Sequence, residues 1–327
     1  MRRVSARLTL AAVGAACSGP TAPGRASALL YVANYTGSIT VYSANATGNA
    51  MPTAAIAGNN TGLNFPYGIA RDTAGRLYVT NLGASPEAVT VYGADATGNA
   101  APIATIAGSN TGLHDAEGGI PVDAAGRLYV PNIGSTDSGD TITVYASGAG
   151  GNVTPTATIA GTNTGLSAPF GVALDAAGQV YVANAGRSGN GSITVYTPGA
   201  TGNVTPTATI AGGNTGLTSP LSIALDAAGQ LYVMNVTIVS NVAYYKVTVY
   251  AAGATGNIAP IRLIGGGNTG LSSPLGMAVD AVGRLYVANQ GNSSITVYAP
   301  DATGNAAPMA TIAGNSTGLS GPAHITF

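Results

Sequence analysis

The sequence predicts an all-β fold: a six-bladed β-propeller of four-stranded antiparallel blades, closed by the C-terminal strand joining the N-terminal blade. Three observations carry this. A unit of about fifty residues recurs six times. Its copies are marked by Leu/Val-Tyr-Val triplets at Tyr31, Tyr78, Tyr129, Tyr181, Tyr232 and Tyr286. Val-Tyr pairs ending at Tyr42, Tyr92, Tyr145, Tyr196, Tyr250 and Tyr298 give the same count. Each unit holds four short runs rich in Val, Ile, Thr and Tyr with no helical period, which is the signature of short strands. The ends are complementary: the first triplet lacks a preceding Pro-x-Gly-Ile run, and Gly321 to Phe327 supplies one.

Residues 66–113 show how one unit is built. Pro66-Tyr-Gly-Ile-Ala70 is the innermost strand, and Asp72-Thr-Ala-Gly75 turns the chain, with the Asp side chain capping backbone N–H groups and Gly supplying a positive φ. Leu77-Tyr-Val is the second strand and Ala88-Val-Thr-Val-Tyr92 the third. Ala96-Thr-Gly-Asn99 turns into the fourth, around Ile103 to Gly108. Such a sheet cannot bury both faces alone, so the units stack radially around an axis, and residues 28–327 form one domain. Both tight turns recur almost unchanged and lie on one face of the ring. The opposite face carries loops between second and third strands that differ in length, including those at residues 133–140 and 236–246, and variable loops on a rigid scaffold are where binding residues sit.

Residues 1–16 read as a signal peptide: Arg2, Arg3 and Arg7 precede an apolar core too short to span a bilayer. Residues 17–27 read as a tether. Cys17, the only cysteine, follows Gly14-Ala-Ala and is the candidate for lipidation, the alternative being ordinary cleavage that discards it. Either route makes the domain extracytoplasmic, as a secreted protein or a bacterial cell-envelope lipoprotein whose only membrane contact is the lipid. Charged residues make up 7% of the chain and the formal net charge is −1, so the sequence offers no basic footprint for nucleic acid. The expected state is a monomer.

The absence of Trp excludes the Trp-marked blades of two familiar propeller repeats. The unit instead resembles the NHL repeat, whose pattern Pro169-Phe-Gly-Val-Ala-Leu-Asp-Ala-Ala-Gly-Gln-Val-Tyr-Val-Ala-Asn184 follows throughout. That resemblance implies the propeller fold, but NHL-like propellers serve as scaffolds, binding modules, lyases and lactonases. The related gluconolactonase-like propellers place metal ligands at the x of Pro-x-Gly. Here those positions are Tyr67, Gly118, Phe170, Leu221, Leu275 and Ala323, none a carboxylate or amide.

Two readings of function follow. The first is a non-catalytic binding propeller with no cofactor, engaging a glycan, peptide or protein through its variable face. Tyr67, Phe170, Tyr244, Tyr245 and Lys246 are its candidate ligand-binding residues, because tyrosines give large amphipathic contact at low entropic cost. The alternative is a metal-dependent lactonase-like hydrolase or lyase at the channel mouth. It rests on the one irregular repeat, His114-Asp115-Ala-Glu117, where a residue is gained and Glu117 replaces the usual Pro. His114, Asp115, Glu117 and His324 would hold one divalent metal, with His114 and Glu117 as the acid/base pair. The five repeated Asp residues, Asp72, Asp123, Asp175, Asp226 and Asp280, and the six Asn residues that end each Tyr-Val-x-Asn run are read as turn caps and strand terminators.

Overall fold

A computed structural model describes residues 28–327; the leader at 1–16 and the tether at 17–27 with Cys17 lie outside the described residues. The first blade contributes β1 (Leu29–Asn34), β2 (Ser38–Ser43) and β3 (Ala54–Ala57), and the second β4 (Pro66–Arg71), β5 (Leu77–Asn81), β6 (Ala88–Tyr92) and β7 (Ala104–Ala107). The third blade has β8 (Leu128–Asn132), β9 (Thr141–Tyr145) and β10 (Ala157–Ala160). The fourth has β11 (Pro169–Leu174), β12 (Val180–Asn184), β13 (Ser192–Tyr196) and β14 (Ala208–Ile210). The fifth has β15 (Ser219–Leu225), β16 (Leu231–Val239), β17 (Val242–Tyr250) and β18 (Arg262–Gly265). The sixth has β19 (Pro274–Val279), β20 (Leu285–Asn289), β21 (Ser294–Tyr298) and β22 (Ala310–Ile312), and the chain ends in β23 (Pro322–Thr326).

Every blade is an antiparallel meander running outward from the axis, and β23 completes the first one in the order β23-β1-β2-β3. Ring closure therefore works as the repeat predicts. Tyr31 pairs Thr326 and Val32 pairs Ile325, so β1 is not left as an open edge. The outer rim closes with the same bonds as every other blade junction. Each third-strand tyrosine is buried and donates its hydroxyl to a Thr carbonyl in the preceding Asn/Ser-Thr-Gly connection, at 2.5 to 2.6 Å. For the first blade that acceptor is Thr317, across the closure.

The third blade departs from the pattern. Its inner segment makes one bridge, Val122 with Leu128, in place of a regular strand. The N–H of Tyr129 reaches the carbonyl of Pro121 at 3.0 Å. The next donor along that ladder would be the N–H of residue 131, which is proline. The carbonyl of Gly119 turns instead to the N–H of Val172 in the fourth blade, at 3.3 Å.

Sheet-on-sheet packing of alternating aliphatic residues with the buried tyrosines forms six core clusters, each shared by two neighbouring blades. No blade owns its core, which is why the repeat needs the ring. The repeated Asn side chains do more than end strands. Asn184 donates to the carbonyl of Val182 and to Thr194 Oγ1, and accepts the N–H of Ser167 in the incoming connection at 3.2 Å. Asn34, Asn81, Asn132 and Asn289 repeat this arrangement. Five of the six buried amides thus lock second strand, third strand and connection together, while Asn235 joins only the second and third strands.

Candidate functional site

The innermost strands open on the variable face with a register shift at the Pro-x-Gly residues in β4, β11, β15 and β19, and at the matching position opposite β23. A bulge re-aims a side chain that a regular strand would commit to one face. The shift sets Tyr67, Phe170, Leu221, Leu275 and Ala323 around the channel mouth. Tyr67 and Ala323 are buried there and Phe170, Leu221 and Leu275 are half-buried.

Beside Tyr67 the mouth gains residues that the sequence reading passed over. Phe65 is exposed and stacks on Tyr35, with ring centroids 4.9 Å apart and planes 24° from parallel. It holds φ = +49°, the left-handed conformation that Ala168, Ser273 and Gly321 also adopt at the matching position of their blades. The residue before Pro in the other regular blades is Ala168, Ser219, Ser273 or Gly321. Phe65 is the aromatic exception in that column, the signal by which comparison of the repeats finds it.

Glu117 enters the same mouth from the third blade. Burial pushes its carboxyl up from the ordinary value, and the charges of Asp115 and Glu87 push in the same direction. Burial likewise raises the Tyr67 phenol, with Glu117 and then Tyr35 adding to it, and the residues that follow Tyr67 and Glu117 abut, a Cβ at Gly68 falling 2.3 Å from the Gly118 carbonyl oxygen. Glu87 arrives from the loop before β6 and accepts the N–H groups of Asp115 and Ala116 at 3.0 and 3.1 Å. Asp115 itself holds a positive φ of 39°. His114 is half-buried, its N–H donating to Asn132 Oδ1 at 3.2 Å, so its backbone takes part in the amide lock of its blade.

His324 lies elsewhere. It is the third residue of β23 and occupies the slot that is glycine in four other blades: Gly68, Gly119, Gly171 and Gly276. Two of those glycines, Gly276 and Gly119, make room for the ring. A Cβ at Gly276 would lie 2.7 Å from His324 Cδ2, and one at Gly119 would lie 3.1 Å from its Nε2. The imidazole is therefore packed into the axial channel, and the third-blade residue it approaches is Gly119. Below it, a cavity of about 290 Å³ is lined by inner segments of all six blades, mostly Ile, Val, Ala, Leu and Met. Neither ring nitrogen of His324 has a hydrogen-bond partner among the described residues, and the hydroxyl of Ser222, in the equivalent slot of the fifth blade, has none there either. Burial drives the His324 pKa down to about 4, opposed only by the backbone of Ile325.

Among the described residues no group of three or more His, Cys, Asp and Glu is gathered as a metal site. His114, Asp115 and Glu117 share one loop, but His324 is not brought to them. The donor set does not fit the single divalent ion considered from the sequence.

Tyr244, Tyr245 and Lys246 belong to neither arrangement. The stretch read as a long loop is a β-hairpin, because β16 and β17 continue past the blade and meet at Ser240-Asn241, both with positive φ. Tyr244 is exposed together with Ile238, Val239 and Val242, whereas Tyr245 is half-buried with its hydroxyl 3.2 Å from Ser273 Oγ. Lys246 is half-buried opposite Asn235. The loop at 133–140 is likewise structural. Asp140 is fully buried and accepts the N–H groups of Gly134 and Ala168, while Arg187 of the next blade pairs with it at 2.6 Å and with Asp137 at 2.7 Å.

By sequence, no family model and no curated protein matches the chain. By structure it is similar to other propellers. A Bacteroides caccae protein of unknown function superposes with a TM-score of 0.56 at 10% identity, covering 91% of this chain and 97% of that one. The periplasmic gluconolactonase PpgL of Pseudomonas aeruginosa gives 0.52 at 13% identity over 92% and 99% of the two chains. A gluconolactonase from Xanthomonas campestris, XC5397, gives 0.50 at 16% identity over 86% and 87%. At these identities the likeness establishes the fold, a six-bladed β-propeller, and nothing finer. The resemblance to NHL repeats rests on the blade motif. Among the described residues no helix is long and apolar enough to cross a membrane.

Proposed function

We propose that the protein is an extracytoplasmic binding propeller that engages a glycan, peptide or protein on its variable face, with the channel mouth as the principal contact. The supporting observation is Phe65, an exposed aromatic ring held at positive φ and stacked on Tyr35 beside Tyr67. The positive φ belongs to this position of the repeat, since Ala168, Ser273 and Gly321 share it, but only here does the position carry an exposed aromatic ring. Stacked rings at the rim of a concavity suit the apolar face of a sugar or a partner side chain. Tyr244 and Tyr245 on the projecting hairpin would widen the contact for a larger partner. The leader and Cys17 support an envelope location, and the periplasmic gluconolactonase among the similar structures is consistent with it.

The test is capture from a glycan array and from solubilised envelope proteins, using wild type, Phe65→Ala/Tyr67→Ala and Tyr244→Ala/Tyr245→Ala. Loss of a captured partner in the first double variant supports the mouth. Capture unchanged in both sinks the reading.

A metal-dependent lactonase-like hydrolase or lyase is the second reading. It is favoured by the fold shared with two gluconolactonases and by the raised pKa of Glu117, a carboxyl poised toward acid/base work. The donor set described above weighs against the metal. Elemental analysis of residues 28–327 purified without chelator, with lactone hydrolysis by wild type and Glu117→Gln, decides it: one metal per chain and Glu117-dependent turnover would displace the binding reading.

A further inference from the structure

We infer that the channel mouth recognises an organic cation, an ammonium or guanidinium group seated between Glu117, Tyr67 and the Tyr35–Phe65 ring pair. This rests on the reading of the mouth as a ligand site and assigns the chemistry of what enters it. The first observation is unbalanced charge. Glu87 accepts the N–H groups of Asp115 and Ala116 at 3.0 and 3.1 Å, which brings its carboxylate to the segment that carries Asp115 and Glu117. Yet among the described residues none of the three forms an ion pair: the five salt bridges found join Arg76, Arg127, Arg187 and Arg284 to other carboxylates. The carboxylate of Glu117 also accepts no hydrogen bond from any described residue. A half-buried carboxylate in that state retains a desolvation cost that an incoming cation would offset.

The second observation is independent of the acidic residues. Tyr67 is nine-tenths buried, at 8% exposure, and its hydroxyl makes no hydrogen bond with any described residue. Buried phenols elsewhere in this molecule are satisfied, as the six third-strand tyrosines show. The hydroxyl lies at the open end of this buried ring rather than sealed beneath it, and left free beside Glu117 it is an acceptor for an N–H donor. The third is the ring pair. Tyr35 and Phe65 form an aromatic surface at the rim, and the negative face of an aromatic ring attracts ammonium and guanidinium groups that have shed water. Carboxylate, free phenol oxygen and ring faces together are complementary to a cation. A neutral sugar would leave Glu117 unpaired, and an anion would be repelled.

The experiment is isothermal titration calorimetry at low ionic strength on the full mature chain. The probes are choline, a blocked Gly-Lys-Gly tripeptide, maltotriose and acetate. Choline or the tripeptide is expected to bind saturably, and to bind about tenfold or more weakly to Glu117→Gln and to Phe65→Gly. Binding of both assigns the mouth to basic side chains as well as free amines; binding of choline alone assigns it to small ammonium compounds, and either outcome supports the inference. Phe65→Gly removes the ring while relaxing the positive φ, so thermal melts of the variant check that lost binding is not lost folding. No binding of either cation overturns the inference, as does cation binding that ignores Glu117→Gln. Maltotriose binding that is lost in Phe65→Gly, with no cation binding, would overturn it while leaving the mouth as a ligand site; failure of every probe would overturn it too, and the capture experiment on the same variants decides the binding reading separately.

Discussion

Replacing His324 with Met should change how the fold responds to acid. The imidazole is 7% exposed, sits among glycines and aliphatic side chains, and has no hydrogen-bond partner for either nitrogen among the described residues. Charging it in place would strand a cation in an apolar channel, and burial accordingly lowers its pKa from 6.5 to about 4. The unfolded chain takes up this proton first as pH falls. The contribution is thus fully present above pH 6.5, is lost between 6.5 and about 4, and is flat below. At about 1.4 kcal/mol per pH unit the loss amounts to about 3 kcal/mol. Met fills the slot with a flexible uncharged side chain and removes the term. Asp72 does not confuse the window. Burial pushes its carboxyl up, but the hydrogen bonds and charge of Arg76 outweigh that and hold it below 3.8, so its contribution fades only at lower pH. Glu117, whose pKa is raised, acts in the opposite sense and is common to both proteins. The assay is urea unfolding of wild type and His324→Met at pH 7.5, 5.5 and 4.0. Stability should diverge by about 3 kcal/mol across that range, with wild type the more acid-sensitive. Parallel pH profiles would refute the reasoning, as would an NMR titration placing the folded His324 midpoint near 6.5.

Two further outcomes follow from the closure and the amide locks. Deleting residues 321–327 removes Ile325, buried in the first blade, and Phe327, whose ring meets Tyr286 edge-on at 5.0 Å. Each loses about 1.5–3 kcal/mol of burial, and β1 becomes an open edge, so the truncated chain should melt far lower or aggregate. An unchanged melt would contradict closure by β23. Asn184→Ala should cost about 1–3 kcal/mol by leaving buried groups unpaired. Asn235 donates as Asn184 does, but its Oδ1 has no partner, so Asn235→Ala should cost about 1 kcal/mol less. Equal losses in chemical denaturation would show that the bond to the incoming connection contributes nothing.

The strand pattern, the number of blades and the closing strand were legible in the sequence because each is written six times. A repeated Pro-x-Gly, Asp-x-x-Gly or Val-Tyr reports the same local geometry on every occurrence, and local geometry is what turn chemistry and period-two burial encode. The hairpin of β16 and β17 was not legible as one, because Val236 to Lys246 lacks a Gly-containing turn dipeptide and its two-residue turn, Ser240-Asn241, is atypical.

What the chain alone determined is the scaffold: six blades, one closure and two faces with unlike loops. Tertiary structure decided which unusual residues meet. Residues 35, 65, 67, 87 and 117 come from different turns of two blades and the first blade's loop, and no spacing along the chain brings them to one mouth. His324 and Glu117 looked like partners because both begin inner strands. Radial packing separates them, since a glycine slot draws the imidazole into the channel while the irregular third blade leaves the carboxylate at the rim. Proximity around a ring depends on blade order and on the depth of each residue along its strand, and neither is expressed in local sequence.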